Sequence, residues 1–200
     1  MKRQDSFNKL FENGFSYEEY LGKSEKHRER MNTSLLVGQK AVQKLSHDQI
    51  SRLNEKLNVL CIAENWCIDC ANGVPIIAML ADMIPNWNFR IVSRDDFKEE
   101  FESFYTTAGR KKIPVIIFAD EDGDEIMRWI ERPMCSYQLL GILRDQDLSK
   151  EEFFQKYNDT LEFQPPFVSE AILNELVVVA EKVASIVHVN PPIRKRPAIV

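Results

Sequence analysis

Positive charge is the first thing this sequence lacks. Its 200 residues carry 26 lysines and arginines against 31 aspartates and glutamates, a formal net charge of −5. With a pI near 5.4, such a chain has no electrostatic footprint for nucleic acid or an anionic membrane surface. The one dense basic cluster, "RKR" at 194–196, lies between prolines and reads as a solvated tail. Long hydrophobic runs are missing too. The N-terminus has two positive charges but no apolar core and no small-residue cleavage site, so it does not read as a secretory leader. The most apolar stretch, "AILNELVVVAEKVASIVHV", is broken by Glu175, Glu181 and Lys182, which suits a buried helix and not a membrane span. The expectation is a soluble, cytoplasmic protein. Histidine is rare, and His27, His47 and His188 show no ligand spacing. The four cysteines, at 61, 67, 70 and 135, are too few for a secreted disulfide framework in a chain of this length. No internal repeat is visible. The full chain, 44% hydrophobic, suffices for one compact domain with additional helices.

Patterning along the chain gives the order of elements. Residues 16–56 are helical in pattern and rich in charge. "SYEEYLGKSEKHRERM" reads as an exposed helix with a capping box at Ser16 and Glu19, and Ser46 with Gln49 repeats that signature. "LNVLCIA" (57–63) is a short apolar run that suits a strand covered on both faces. A helix over 68–84 follows, then a strand at 88–95, a helix over 96–109 and a strand at 113–120. The acidic turn "EDGDE" leads into a returning strand at 125–130. Helical patterns at 134–145, 149–158 (capped by Ser149 with Glu152) and 168–187 complete the chain. The last of these reads as core, with a dimer interface as its alternative. This order implies a mixed α/β sheet with helices on both faces. We divide it into a helical extension (1–56), an α/β core (57–148), C-terminal helices packed on that core (149–187) and a flexible tail (188–200).

The chemistry is concentrated in "ENWCIDCANGVP", residues 64–75, at the carboxyl end of the first core strand. The attacking species in thiol exchange is a thiolate. Cys67, at the start of a helix, has free backbone amides and the positive end of the helix dipole to stabilise one. Cys70 lies one turn further in on the same face, within disulfide reach. Cys67 is therefore read as the nucleophile and Cys70 as the resolving thiol. Asp69 disfavours a second negative charge beside Cys67, which predicts a less acidic thiol and a more reducing couple than in strongly oxidising members of this chemistry.

"WCIDC" after an apolar strand, Pro75 five residues on and "KKIPVIIF" some forty residues later resemble the thioredoxin family over roughly 57–145. "RWIERP" (128–133) is similar to a pattern in bacterial thioredoxin-like proteins with helical N-terminal extensions. The resemblance implies a thioredoxin-like fold and a thiol–disulfide oxidoreductase that exchanges the Cys67–Cys70 pair with protein disulfides, in the reducing direction. It further implies a cis bond at Ile113–Pro114, with Pro114 packed against the cysteines. Trp66 would then share the apolar surface around Cys67, and Ile113 would offer its backbone to an extended substrate. No cofactor is implied; electrons come from a partner reductase or a low-molecular-weight thiol. Nothing calls for nucleic acid or membrane, and a monomer or weak homodimer is expected. The sequence departs from the family where a buried aspartate stands six residues before the first cysteine, because that position is Cys61. Glu64 and Asp69 are the candidates to replace it as proton acceptor. Arg132–Pro133 stands where the family has a glycine after the hairpin.

Other readings of the same residues stay open. A zinc site needs two more ligands and the chain has no second C-x-x-C; a cluster bridging two chains through Cys67 is a further alternative. Cys61 and Cys135 read most simply as buried small hydrophobes, Pro114 as an edge-strand proline and Glu64 as a solvated strand end. The runner-up function is a thioredoxin-fold binding, adaptor or redox-sensing module in which the helical extensions do the work.

Overall fold

A computed structural model describes residues 2–190. In β1 (Leu57–Ala63) and β3 (Val115–Ala119) every residue except Asn58 is buried. Successive side chains of a strand point to opposite faces, so both faces of these strands are covered. β2 (Trp87–Ser93) runs parallel to β1, β3 is antiparallel to β1, and β4 (Glu125–Ile130) is antiparallel to β3, in the order β2-β1-β3-β4. The parallel pair needs a crossover, supplied by α5 (Ile68–Met83). The β3–β4 pair needs only the acidic turn. There Asp120 Oδ1 accepts from the amides of Asp122 and Asp124, and Gly123 takes φ 89°. This is the mixed α/β, thioredoxin-like architecture that the sequence implies.

The three serine caps form as expected: Ser16, Ser46 and Ser149 accept from the amides three residues on, at the starts of α2 (Tyr17–Lys23), α4 (His47–Leu53) and α8 (Lys150–Asp159). Two expectations at the N-terminal end need correcting. A first helix, α1 (Arg3–Glu12), precedes the stretch read as helical, and buries Phe7 and Leu10 in the main core. The exposed helix expected over 16–31 is instead two elements, α2 and α3 (Arg28–Val42). The chain breaks at Ser24, whose hydroxyl donates back to the Tyr20 carbonyl, and His27 adopts the left-handed region at φ 62°. Neither element is a solvated rod, since Tyr20 is 3% exposed and Met31 is buried. Between α1 and α2, Phe15 exchanges two backbone hydrogen bonds with Ile91 of β2, at 2.9 and 3.0 Å. Gly14 makes this approach possible, because a Cβ there would stand 2.6 Å from Arg90 Cβ.

Beyond β2, α6 (Lys98–Phe104) ends earlier than the sequence suggested. The chain turns at 105–110, with Ala108 and Gly109 at positive φ. After β4 come α7 (Met134–Arg144), α8, a 3₁₀ turn (Leu161–Phe163) and α9 (Phe167–Val189). α3 packs on α5, and α9 packs on both of them and on β4. Val168, Ile172, Leu176 and Val183 of α9 join the main core, while Leu143, Tyr157 and Phe163 form a smaller cluster of their own. α9 includes His188 and Val189, which the sequence reading assigned to the tail; 191–200 lie outside the described residues. Among the described residues no helix is long and apolar enough to cross a membrane.

Candidate active site

β1 delivers the chain to a short loop and then to Cys67, the N-cap of α5. The Cys67 amide donates to the Glu64 carbonyl at 3.2 Å, which closes the loop. Its sulfur accepts from the Cys70 amide at 3.3 Å, doing the work that a hydroxyl or carboxylate oxygen does at an ordinary N-cap. Cys67 is 8% exposed and Cys70 fully buried, and both are free thiols. On the strand side, the Cys67 thiol lies 3.7 Å from the Ile113 carbonyl oxygen, and the Ile113–Pro114 peptide is cis. α5 comes close to this proline at Gly73. A Cβ there would sit 3.2 Å from Pro114 Cγ and 3.7 Å from the Trp129 ring.

The two thiols are pushed in opposite directions. A hydrogen bond from Cys70 holds the Cys67 thiol below the ordinary range; the backbone amides of Cys70 and Asp69 help, while burial and the Asp69 carboxylate oppose. Burial drives Cys70 well above that range, and its pairing with Cys67 adds to the effect. Asp69 acts in the direction expected from the sequence, but the donors at the helix start outweigh it. Cys61, in the place of the family's aspartate, is fully buried, and burial raises its thiol far from ionisation.

Asp69 is half of a buried ion pair. Its Oδ2 accepts from Arg132 Nη2 at 2.6 Å. Arg132 also donates to Glu131 at 2.9 Å, and its guanidinium lies 5.8 Å from the ring centres of both Tyr137 and Tyr157. Glu131 in turn accepts from Lys112 at 2.8 Å and from the Tyr137 hydroxyl. The cluster thus joins the start of α5, the loop before Pro114, the end of β4, and α7 and α8. Burial pushes the Asp69 carboxyl up to about 6, although Arg132 pulls the other way. Position 132, where the family's glycine is missing, is therefore filled by the cation that holds Asp69.

The other candidate residues occupy distinct places. Glu64 is buried, but its carboxylate turns to β2, accepting from the Ser93 hydroxyl at 2.9 Å and the Asp95 amide at 2.8 Å. Trp66 is 44% exposed beside Cys67, with the Arg94 guanidinium 5.1 Å over its ring. Sequence reasoning marked Arg132 only as a departure from the family and missed its pairing with Asp69, and it missed two contacts from the N-terminal helices. The Tyr20 hydroxyl donates to the Glu64 carbonyl at 3.0 Å, and His27 Nε2 lies 3.2 Å from the Trp66 carbonyl. The i, i+3, i+4 spacing of Tyr17, Tyr20 and Leu21 was the available signal that α2 buries a face. Among the described residues no group of three His, Cys, Asp or Glu side chains is placed to hold a metal. An open groove of about 470 Å³ lies beside Cys67, between the start of α5 and the α8 region.

Comparison with known proteins bears on this arrangement. A crystal structure of a protein of unknown function from Pseudomonas aeruginosa superposes with a TM-score of 0.61 at 18% identity, over 88% of this chain and 97% of that one. An HIV epitope-scaffold does so with a TM-score of 0.57, also at 18% identity, over 88% and 98%. At such identities the likeness concerns the fold alone. No curated protein matches the chain. A family model described as thioredoxin matches residues 14–148, a span that runs from the Phe15 bridge through the end of α7. With that match over most of its length, and with this sheet order around it, the chain belongs to the thioredoxin-like family.

Proposed function

We propose that the chain is a thiol–disulfide oxidoreductase in which Cys67 attacks and Cys70 resolves. The observation that carries this reading is the inequality of the two thiols: Cys67 sits at the groove and is held below the ordinary range, and Cys70 is sealed one turn behind it and held above. The Cys67 thiolate attacks one sulfur of a substrate disulfide and expels the other as a thiolate. Cys70 then loses its proton and attacks the Cys67 sulfur, which releases the reduced substrate and leaves a Cys67–Cys70 disulfide. Of the two candidate proton acceptors we favour Asp69, because it lines the groove and its carboxyl titrates near 6, whereas Glu64 faces β2. Ile113 and Pro114 back the nucleophile, and Trp66 borders it. The substrate disulfide is reduced, and electrons return from a partner reductase or a low-molecular-weight thiol, which suits a reducing compartment such as the cytoplasm.

The test is to equilibrate the protein with dithiothreitol or glutathione buffers and count free thiols. A reversible Cys67–Cys70 disulfide with a potential near about −270 mV is expected of a reductase. Cys67→Ser should abolish turnover while the fold persists. If no reversible disulfide forms, the enzymatic reading fails and an adaptor remains.

A further inference from the structure

The groove beside Cys67 is walled by parts of the chain that the four-stranded core does not require. Trp66 and Cys67 line it, and Phe154 and Tyr157 of α8 with Phe163 contribute aromatic rings. Lys26, an exposed residue from the junction of α2 and α3, lines it as well. The volume of about 470 Å³ lies within the span of about 300–1,000 Å³ typical of small-molecule sites. An extended polypeptide would need an open strand edge. The strand-side backbone beside Cys67, at Ile113, belongs to a residue that is 5% exposed, and neither Ile113 nor Pro114 lines the groove.

Charge narrows the occupant. Among the described residues Asp69 is the only carboxylate in the lining, and Arg132 already pairs with it at 2.6 Å. Lys26 has no ion-pair or hydrogen-bond partner among the described residues. The groove's uncompensated charge is therefore positive, in a chain whose net charge is −5. The geometry points to a binding site for an anionic low-molecular-weight thiol, held in this groove as a mixed disulfide with Cys67. The inference rests on the oxidoreductase reading and names its electron donor. A donor thiolate attacks Cys67 Sγ in the Cys67–Cys70 disulfide, forms the mixed disulfide and releases Cys70 as a thiolate, which takes up a proton. A second donor thiolate attacks the bound donor's own sulfur; the donor–donor disulfide forms as the bond to Cys67 Sγ breaks, and Cys67 leaves as a thiolate. Two donor thiols are oxidised and one protein disulfide is reduced by two electrons. The aromatic rings cover the apolar part of the donor, and Lys26 meets its carboxylate.

Cys70→Ser stops the exchange at the mixed disulfide, whose equilibrium mass spectrometry reads; Cys70→Ala serves if the serine variant does not fold. The probes are mercaptoacetate, mercaptoethanol and cysteamine, an anion, a neutral and a cation of similar size, together with glutathione. Each equilibrium is taken relative to that with free cysteine. The anion should exceed the neutral probe, and the neutral the cation, by about threefold per step, the size of a single exposed charge interaction. Glutathione should exceed mercaptoacetate. Lys26→Gln, or salt at about 0.5 M, should collapse the spread, and Phe154→Ser should remove the advantage of glutathione. Equal constants across the charge series, or a spread that survives Lys26→Gln, overturn the site and leave the redox reading standing. A Cys67 that forms a mixed disulfide with none of the four probes overturns both.

Discussion

Cys67 stands between two walls of opposite character. On one side Ile113, Pro114, Gly73 and Trp129 meet in a dry, close-packed surface continuous with the sheet. On the other, Asp69, Arg132, Tyr137 and Tyr157 make a charged and aromatic surface that opens toward Lys26. The first wall is built from the strands and the helix that define the sheet order. Most of the second comes from segments after β4 and from the N-terminal helices. The contrast teaches that the position of the reactive sulfur and the choice of what reaches it are carried by separate pieces of chain. One piece can change without the other.

The contrast can be broken most forcefully through packing. Phe118→Ala, within the fully buried β3, should lower the unfolding free energy by about 3–5 kcal/mol in a urea titration. Leu143→Ala, in the small cluster under α8, should cost about 2 kcal/mol. It should also speed amide exchange in α7 and α8 while β1 and β3 stay protected. Equal acceleration in both regions would mean that the two walls are one cooperative unit. Between these two substitutions in size is Arg132→Gln, which leaves Asp69 buried without its cation, at a cost of about 3 kcal/mol. A loss within experimental error would show that the pair is dispensable and the charged wall is loosely built.

The third test uses pH. Burial pushes the folded Asp69 carboxyl up to about 6, above the ordinary aspartate value of about 4, so the folded chain holds this proton more tightly than the unfolded one. Its contribution is full below about pH 4 and is lost as pH rises through 6, an effect of about 2–3 kcal/mol. Unfolding free energies measured between those limits should therefore carry a downward slope with rising pH that Asp69→Asn removes. A slope unchanged in that variant would place the titration elsewhere. The smallest effect belongs to the dry wall. Gly73→Ala brings a methyl to 3.2 Å from Pro114 Cγ, and should cost about 1–2 kcal/mol while slowing Cys67 alkylation through a displaced neighbour. An unchanged alkylation rate would argue that this wall sets stability only.

What the sequence disclosed follows the same division. β1 and β4 fall at 57–63 and 125–130 as read, because a strand between turn residues is a local pattern. The serine caps were legible for the same reason, as was the placing of Cys67 at a helix start after a strand. α1 escaped because only Phe7, Leu10 and Phe11 mark its apolar face within an otherwise polar segment. The break between α2 and α3 has no proline at 24–27 to announce it, and depends on where the two helices pack. The Asp69–Arg132 pair joins residues 63 positions apart, and no spacing rule encodes such a contact. The sequence indicated that Arg132 was unusual; only the fold, which brings the segment after β4 to the start of α5, shows what it holds.

The bridge between Phe15 and Ile91 has a consequence for how the protein lives among its own copies. β2 is the last strand on its side of the sheet, and "WNFRIVS" is rich in the aromatic and β-branched residues that pair readily with another chain. Phe15 takes up both backbone groups of Ile91, near the middle of that outer rim, and so denies it to a neighbouring molecule. The guard depends on Gly14, since any side chain there meets Arg90. A chain with a larger residue at this position would first fail by self-association, growing steeper with concentration, while its cysteines were still in place.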